Sequence, residues 1–203
     1  MLKNKENINF PEYFTKNIIQ ECLISFPKKR DTIFYTGDKV KGFYYVISGE
    51  IKALRNMMSG TEVVMVRSQS GEYFGETAMA IEHYICDGVC TKNTELIFMP
   101  KETLKTAMKN SEFSMAFSLA LAKNARRQCS RYERLRLHKA KDRLKHFLLC
   151  ESNPHTGLLV WKSSLLELAS ELAIEPETLY RVLAELEKDK IIKRDKRNIQ
   201  LMM

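Results

Sequence analysis

Glu177, Thr178, Tyr180 and Arg181 are the residues of this 203-residue chain whose types and spacing best suit reading another polymer. On a helix, residues four apart are surface neighbours, so Glu177 and Arg181 would stand side by side. An arginine so placed can donate two hydrogen bonds to guanine O6 and N7, and a glutamate can accept from cytosine N4. Each such contact discriminates between bases by about 1–3 kcal/mol. The same pair also fits a plain helical hairpin carrying a solvated Glu–Arg pair.

Two helices must hold these residues. Ser164 followed by Glu167 forms a capping box that starts the first. Leu165, Leu168, Ala169 and Leu172 would be its buried face. Pro176 suits the first turn of the second helix, where a missing N–H costs nothing. Leu179, Val182, Leu183 and Leu186 recur at helical spacing and face inward. Glu177, Thr178, Tyr180 and Arg181 are then left outward at the N-terminal end, the end of a recognition helix that meets base edges in the major groove. Ala173 stands in the turn between the helices, and if its φ is positive an alanine costs about 1–2 kcal/mol there. Ile191 to Leu201 reads as a β hairpin with a charged tip. Its Lys193, Arg194, Lys196 and Arg197 are placed to meet phosphates. The candidate DNA-contacting set is therefore Ser164, Glu177, Thr178, Tyr180, Arg181 and these four basic residues.

The rest of the chain falls into two kinds of sequence. Residues 30–100 hold short alternating runs at 43–47, 51–55, 62–67 and 95–99, separated by Ser48-Gly49, Ser59-Gly60 and Ser70-Gly71. Short strands with turn signals at this spacing predict a β sandwich or barrel. From Lys101 to about His138 glycine and proline vanish and the pattern turns helical. A helix from Glu112 to Leu137 would measure roughly 39 Å. Its polar second half predicts pairing with another chain. Ten lysines and arginines between Lys123 and Lys145 face only Glu133 and Asp142. They fit either a DNA-facing surface or the solvated side of a dimer helix. A further helix is expected from Ala140 to Cys150, then a loop from Asn153 to Gly157.

Bulk properties narrow the function. A net charge of +8 favours a polyanionic partner. No apolar run reaches the ~18–20 residues of a membrane span, and the first ten residues lack a signal-peptide core, so a cytoplasmic protein is expected. Five scattered cysteines form no CxxC pair, so neither a disulfide framework nor a zinc site is expected. There is no P-loop, nucleophile motif, metal-ligand spacing or carboxylate pair, so an enzyme is not expected.

Gly37-Asp38, Tyr44-Tyr45-Val46-Ile47-Ser48-Gly49-Glu50-Ile51, Ser59-Gly60-Thr61-Glu62 and Gly71-Glu72-Tyr73-Phe74-Gly75-Glu76 come in the order of a glycine-marked cyclic-nucleotide-binding β-roll. With Glu177-Thr178-Leu179-Tyr180-Arg181, which matches a Glu-Thr-x-x-Arg recognition helix, the chain resembles the CRP/FNR family of transcription regulators over nearly its whole length. The resemblance implies an α+β fold: a β-roll sensor domain at 1–110, a dimerisation helix at 111–138, and a winged helix-turn-helix at 139–203. It implies a homodimer on double-stranded DNA, binding two half-sites about one helical turn apart. In such proteins RNA polymerase contacts sit on surface loops, which carry no readable signature here.

The chain departs from the cyclic AMP pattern. The Arg-Ser or Arg-Thr pair that holds the cyclic phosphate is replaced by Cys86-Asp87, which removes a charge-assisted contact and adds repulsion. Gln128-Cys129 stand near the hydroxyl pair that reaches the adenine from the long helix. Glu76 remains at the position that contacts the ribose, where it also fits a turn cap. Phe74, Gly75, Glu76, Cys86, Asp87, Gln128 and Cys129 are the candidate effector-pocket residues, and cyclic AMP is not expected to bind. Cys86 and Cys90, if on one strand, lie roughly 13 Å apart, too far for a disulfide. The FNR cysteine cluster for an iron–sulfur centre is absent from the N-terminus. His83 with Cys86 matches no haem motif, so neither cofactor is expected. His138, His146 and His155 stand isolated and read as solvent-facing or structural. The alternative function is a cyclic-nucleotide-binding-like module that acts by protein contact, with a vestigial winged helix.

Overall fold

Each alternating run between the glycine turns becomes a strand, and the two runs on either side of Gly60 pair with each other. β4 (Glu50–Asn56) and β5 (Glu62–Gln69) form a hairpin that turns at Gly60, held at φ 80°. The computed structural model describes residues 8–161, 164–195 and 198–202. The chain separates into two compact units, Met1–Leu121 and Ala122–Met203.

In the first unit, α1 (Lys16–Glu21) precedes β1 (Leu23–Ser25), β2 (Thr32–Phe34) and β3 (Gly42–Ser48). After β4 and β5 come β6 (Tyr73–Phe74), a 3₁₀ turn (Glu76–Ala80), β7 (Asp87–Cys90) and β8 (Glu95–Pro100). Two four-stranded antiparallel sheets result, ordered β1-β8-β3-β6 and β2-β7-β4-β5. Phe34, Val46, Ile51, Phe74, Tyr84 and Leu96, drawn from both sheets, form a buried core. Phe34 lies flat on Tyr84 at 3.7 Å between ring centroids. A Cβ on Gly88 would come within 2.7 Å of the Phe34 ring, so only glycine permits this approach. A second core joins Phe43, Tyr73, Ile97 and Met99 of the strands to Phe14 and Ile18 of the N-terminal segment and to Phe113 and Phe117.

The helical stretch after Pro100 is interrupted. α2 (Lys101–Ala107) ends, and Asn110 then accepts the Phe113 N–H on Oδ1 at 2.8 Å, capping α3 (Ser111–Leu135). The second unit continues with α4 (Ala140–Glu151), β9 (Leu158–Val160), α5 (Leu165–Leu172), α6 (Pro176–Lys188), β10 (Ile192–Asp195) and β11 (Asn198–Leu201). β10, β11 and β9 form one antiparallel sheet, so the expected terminal hairpin gains a third strand, just after the expected loop, that the sequence pattern does not announce. Leu144, Phe147, Leu148, Leu168, Leu172, Leu179, Leu183, Ile192 and Ile199 close a single core around it.

Candidate nucleic-acid interface

Local chemistry sets the first helix. The Ser164 hydroxyl accepts the Glu167 N–H at 3.2 Å, and a Glu167 carboxylate oxygen accepts the Ser164 N–H at 2.9 Å. Ser164, one of the candidate contact residues, thus spends its side chain on the cap. Leu168, Ala169 and Leu172 are buried as expected, while Leu165 is only half-buried.

The turn that follows is left-handed. Ala173 sits at φ 52°, ψ 50°. The Ile174 N–H reaches back to the Ala169 carbonyl at 3.0 Å. Arg143 covers this helix end from α4, with Nη1 2.8 Å from the Ala173 carbonyl oxygen and 3.3 Å from that of Leu172. A cation there also suits the negative end of the helix dipole.

α6 begins with Pro176 in its first turn, and Leu179, Val182, Leu183 and Leu186 are all buried. Glu177, Tyr180 and Arg181 are exposed and Thr178 is half-buried. Among the described residues no ion pair or hydrogen bond engages the side chains of Glu177 and Arg181. The alternative, a solvated Glu–Arg pair, is therefore not formed, and among the described residues both groups are free for an outside partner.

The wing is less uniformly available. Lys193 is exposed on β10. Arg194 is half-buried and bound through Nη2 to the Glu187 carboxylate of α6, which holds Glu187 below the usual carboxylate range. Lys196 and Arg197 lie outside the described residues.

The basic run also divides. Arg134 was expected with the polar surface of the long helix, yet it is 2% exposed. Its Nη2 lies 2.6 Å from Glu171 Oε1 on α5, and its guanidinium lies 5.1 Å from the Phe147 ring centroid. Lys141 binds Asp189 at 2.8 Å, which raises the lysine and lowers the aspartate from their ordinary values. Arg134, Lys141 and Arg143 are ties between helices. Arg126 and Arg136 remain exposed.

The effector candidates lie on different elements. Phe74 is buried in the core between the sheets rather than lining an open surface. Gly75 takes φ 79° and leads into the 3₁₀ turn that starts at Glu76. The Asp87 carboxylate accepts both the Thr36 N–H at 2.7 Å and the Thr36 hydroxyl at 2.8 Å. Cys86 is half-buried, and burial pushes its thiol up despite the nearby Arg55. Arg55, which the sequence reading passed over, donates from Nε to the Ile85 carbonyl at 3.1 Å. Gln128 and Cys129 lie exposed on α3 in the second unit.

All five cysteines are free thiols. Cys86 precedes β7 and Cys90 ends it, buried with its thiol also pushed up. His83 is exposed and lies in an isolated backbone bridge with Lys39. His146 corrects its reading as isolated. It is half-buried, with Nε2 3.2 Å from Glu133 Oε2 and Cys150 Sγ beside its ring. Among the described residues no group of three His, Cys, Asp or Glu could hold a metal ion. No helix among them is long and apolar enough to cross a membrane.

Residues 25–111 match the cyclic nucleotide-binding domain family. The cyclic AMP receptor protein of Thermus thermophilus is 27% identical over 164 residues, 79% of this chain and 75% of that protein. FixK2 from Bradyrhizobium japonicum has a similar fold, with a TM-score of 0.68 at 18% identity, covering 90% of this chain and 93% of FixK2. A CooA variant from Carboxydothermus hydrogenoformans reaches a TM-score of 0.74 at 16% identity, covering 92% of this chain and 86% of its own. Residues 25–111 thus carry a cyclic nucleotide-binding domain, and the chain as a whole, with its helix-turn-helix and small sheet following in order, is similar to the cyclic AMP receptor protein and shares its fold with FixK2 and CooA.

Proposed function

We propose that the chain is a sequence-specific, homodimeric DNA-binding regulator that works without cyclic AMP. As a regulator of the CRP/FNR type it is not an enzyme. The observation that carries the DNA reading is the outer face of α6: Glu177, Tyr180 and Arg181 are exposed above a fully buried apolar face, and neither Glu177 nor Arg181 is engaged by another described side chain. Exposed unpaired donors and acceptors at the N-terminal end of such a helix suit base edges in the major groove. Lys193, exposed on β10, suits a phosphate.

The dimer rests on α3. Met115 and Leu119, one helical turn apart, are 63% and 61% exposed. Large apolar side chains repeated along one helix face favour burial against a second copy. The cyclic AMP reading rests on Cys86 and Asp87. At the place where relatives present an arginine to the phosphate, this chain presents a neutral thiol and a carboxylate tied to Thr36. A phosphate there would gain no bidentate partner and would face a like charge.

Selection of bound duplexes from a random pool by the full chain tests the function. The account expects a two-fold-symmetric motif with half-site centres about 10 base pairs apart. Enrichment of no motif would contradict it and would favour the reading in which the module acts by protein contact.

A further inference from the structure

The first unit holds a cavity of about 330 Å³ that none of the effector candidates lines. This volume falls inside the roughly 300–1,000 Å³ range of small-molecule sites. The cavity opens between the two sheets. Phe34 comes from β2 of one sheet, and Tyr44 and Phe98 come from β3 and β8 of the other. Its buried side is the stack of Phe34 on Tyr84. The Tyr84 hydroxyl is already spent, donating to the Gly42 carbonyl at 3.1 Å. Tyr44 and Phe98, both half-buried, stand 5.1 Å apart between ring centroids. Gly42 lets Phe98 lie there, since a Cβ on Gly42 would come within 2.7 Å of that ring. Walls of this kind suit a flat ring, offset or edge-on.

The charged lining is mixed. Asp38, Lys39 and Lys41 are all exposed at the cavity. Among the described residues neither lysine has an ion-pair partner. Asp38 Oδ2 accepts the Tyr35 N–H at 2.8 Å, which leaves Oδ1 open. The Tyr44 hydroxyl also has no hydrogen-bond partner among the described residues. Burial, helped by Asp38, pushes it up to about 12, so it remains a donor at neutral pH. Two ammonium groups and a phenol suit a carboxylate, and one carboxylate suits an ammonium. An aromatic acid would leave Asp38 facing a like charge, and an aromatic amine would leave both lysines unpaired. A molecule that carries both charges beside a ring gives each lining group a partner.

We propose that this cavity binds a free aromatic amino acid. Lys39, Lys41 and the Tyr44 hydroxyl take its carboxylate, Asp38 takes its ammonium, and the aromatic walls take its ring. The proposal does not rest on the DNA reading, because binding is measured on the chain alone.

The test is isothermal titration calorimetry of the full chain with L-phenylalanine, L-tyrosine and L-tryptophan. At least one is expected to saturate with a Kd below about 1 mM. Phenethylamine and 3-phenylpropanoate, each lacking one charge, are expected to bind at least about 10-fold more weakly than L-phenylalanine, as is L-leucine, which lacks the ring. Replacing both lysines, Lys39→Gln with Lys41→Gln, is expected to weaken the amino acid at least about 10-fold. Asp38→Asn keeps an acceptor for the Tyr35 N–H and is expected to weaken the amino acid without weakening 3-phenylpropanoate. No saturable heat from any of the three amino acids at millimolar concentration would overturn the proposal. Equal affinity for L-phenylalanine and its single-charge analogues would overturn it too, as would binding unmoved by the lysine replacements. If a variant fails to fold, the ligand series on the unaltered chain still decides the matter.

Discussion

Arg134 on α3, itself buried, and the partly exposed Glu171 on α5 form an ion pair, 2.6 Å between Nη2 and Oε1, that ties the long helix to the first helix of the helix-turn-helix. Arg134 Nε and Nη1 are buried with no hydrogen-bond partner, so Glu171 carries most of the compensation for this charge. Glu171→Ala is expected to destabilise the second unit by about 3–5 kcal/mol, because it leaves a buried charge uncompensated. Arg134→Met removes the charge together with its desolvation penalty and is expected to cost less. Urea unfolding followed through Trp161, the single tryptophan, measures both. The opposite order of the two variants would contradict this account.

Ala173 holds a left-handed turn at φ 52° where glycine has no steric penalty. The strain for alanine is about 1–2 kcal/mol, and glycine returns roughly 0.4–1 kcal/mol of it through the freedom of the unfolded chain. Ala173→Gly is therefore expected to stabilise the second unit by about 0.5–1 kcal/mol. The same urea titration reports the shift, and a loss of stability would contradict the argument.

The Glu187–Arg194 pair gives a small pH dependence of known sign. Hydrogen bonding to Arg194 lowers Glu187 in the folded chain below its ordinary value of 4.5. The stabilisation is therefore fully present above about pH 4.5 and is lost as pH falls through the lowered folded value. Both side chains are about one-third exposed, so solvent screening limits it to under about 1 kcal/mol. In Glu187→Gln the stability gap to the parent chain is expected at pH 7 and should close as pH falls through the lowered folded value. A gap that widens in acid would reverse the assignment.

Cyclic AMP is expected to give no calorimetric signature of micromolar binding. On the proposed reading, the Asp87 carboxylate, held by Thr36, and the Cys86 thiol, pushed up by burial, replace the arginine that a cyclic phosphate needs. Micromolar or tighter binding would contradict the proposal.

What was legible in sequence is what neighbours in sequence decide. Ser164 with Glu167, and Pro176 at the head of α6, state their roles within four residues, and both ends of the helix-turn-helix formed as expected. The glycine-punctuated strands did too. Three things were not legible. β9 is only three residues long and exists because Leu158–Val160 pairs with β11, some forty residues later. Arg134 is identical in type to its exposed neighbour Arg136, and only the approach of Glu171 from another helix makes it internal. His146 looked isolated because its carboxylate lies thirteen residues away, across the α3–α4 corner. In the candidate site the exposure of Glu177, Tyr180 and Arg181 on α6 followed from periodicity, whereas the diversion of Arg194 to Glu187 depended on how the sheet meets α6.

The central claim is that Arg181 reads a base. The direct measurement is the affinity of the full chain and of Arg181→Ala for the selected duplex and for an unrelated one, at fixed salt. Specific affinity is expected to fall by about 1–3 kcal/mol, with relaxed preference at one base pair and little change on the unrelated duplex. Unchanged specific affinity with an unchanged footprint would contradict the account.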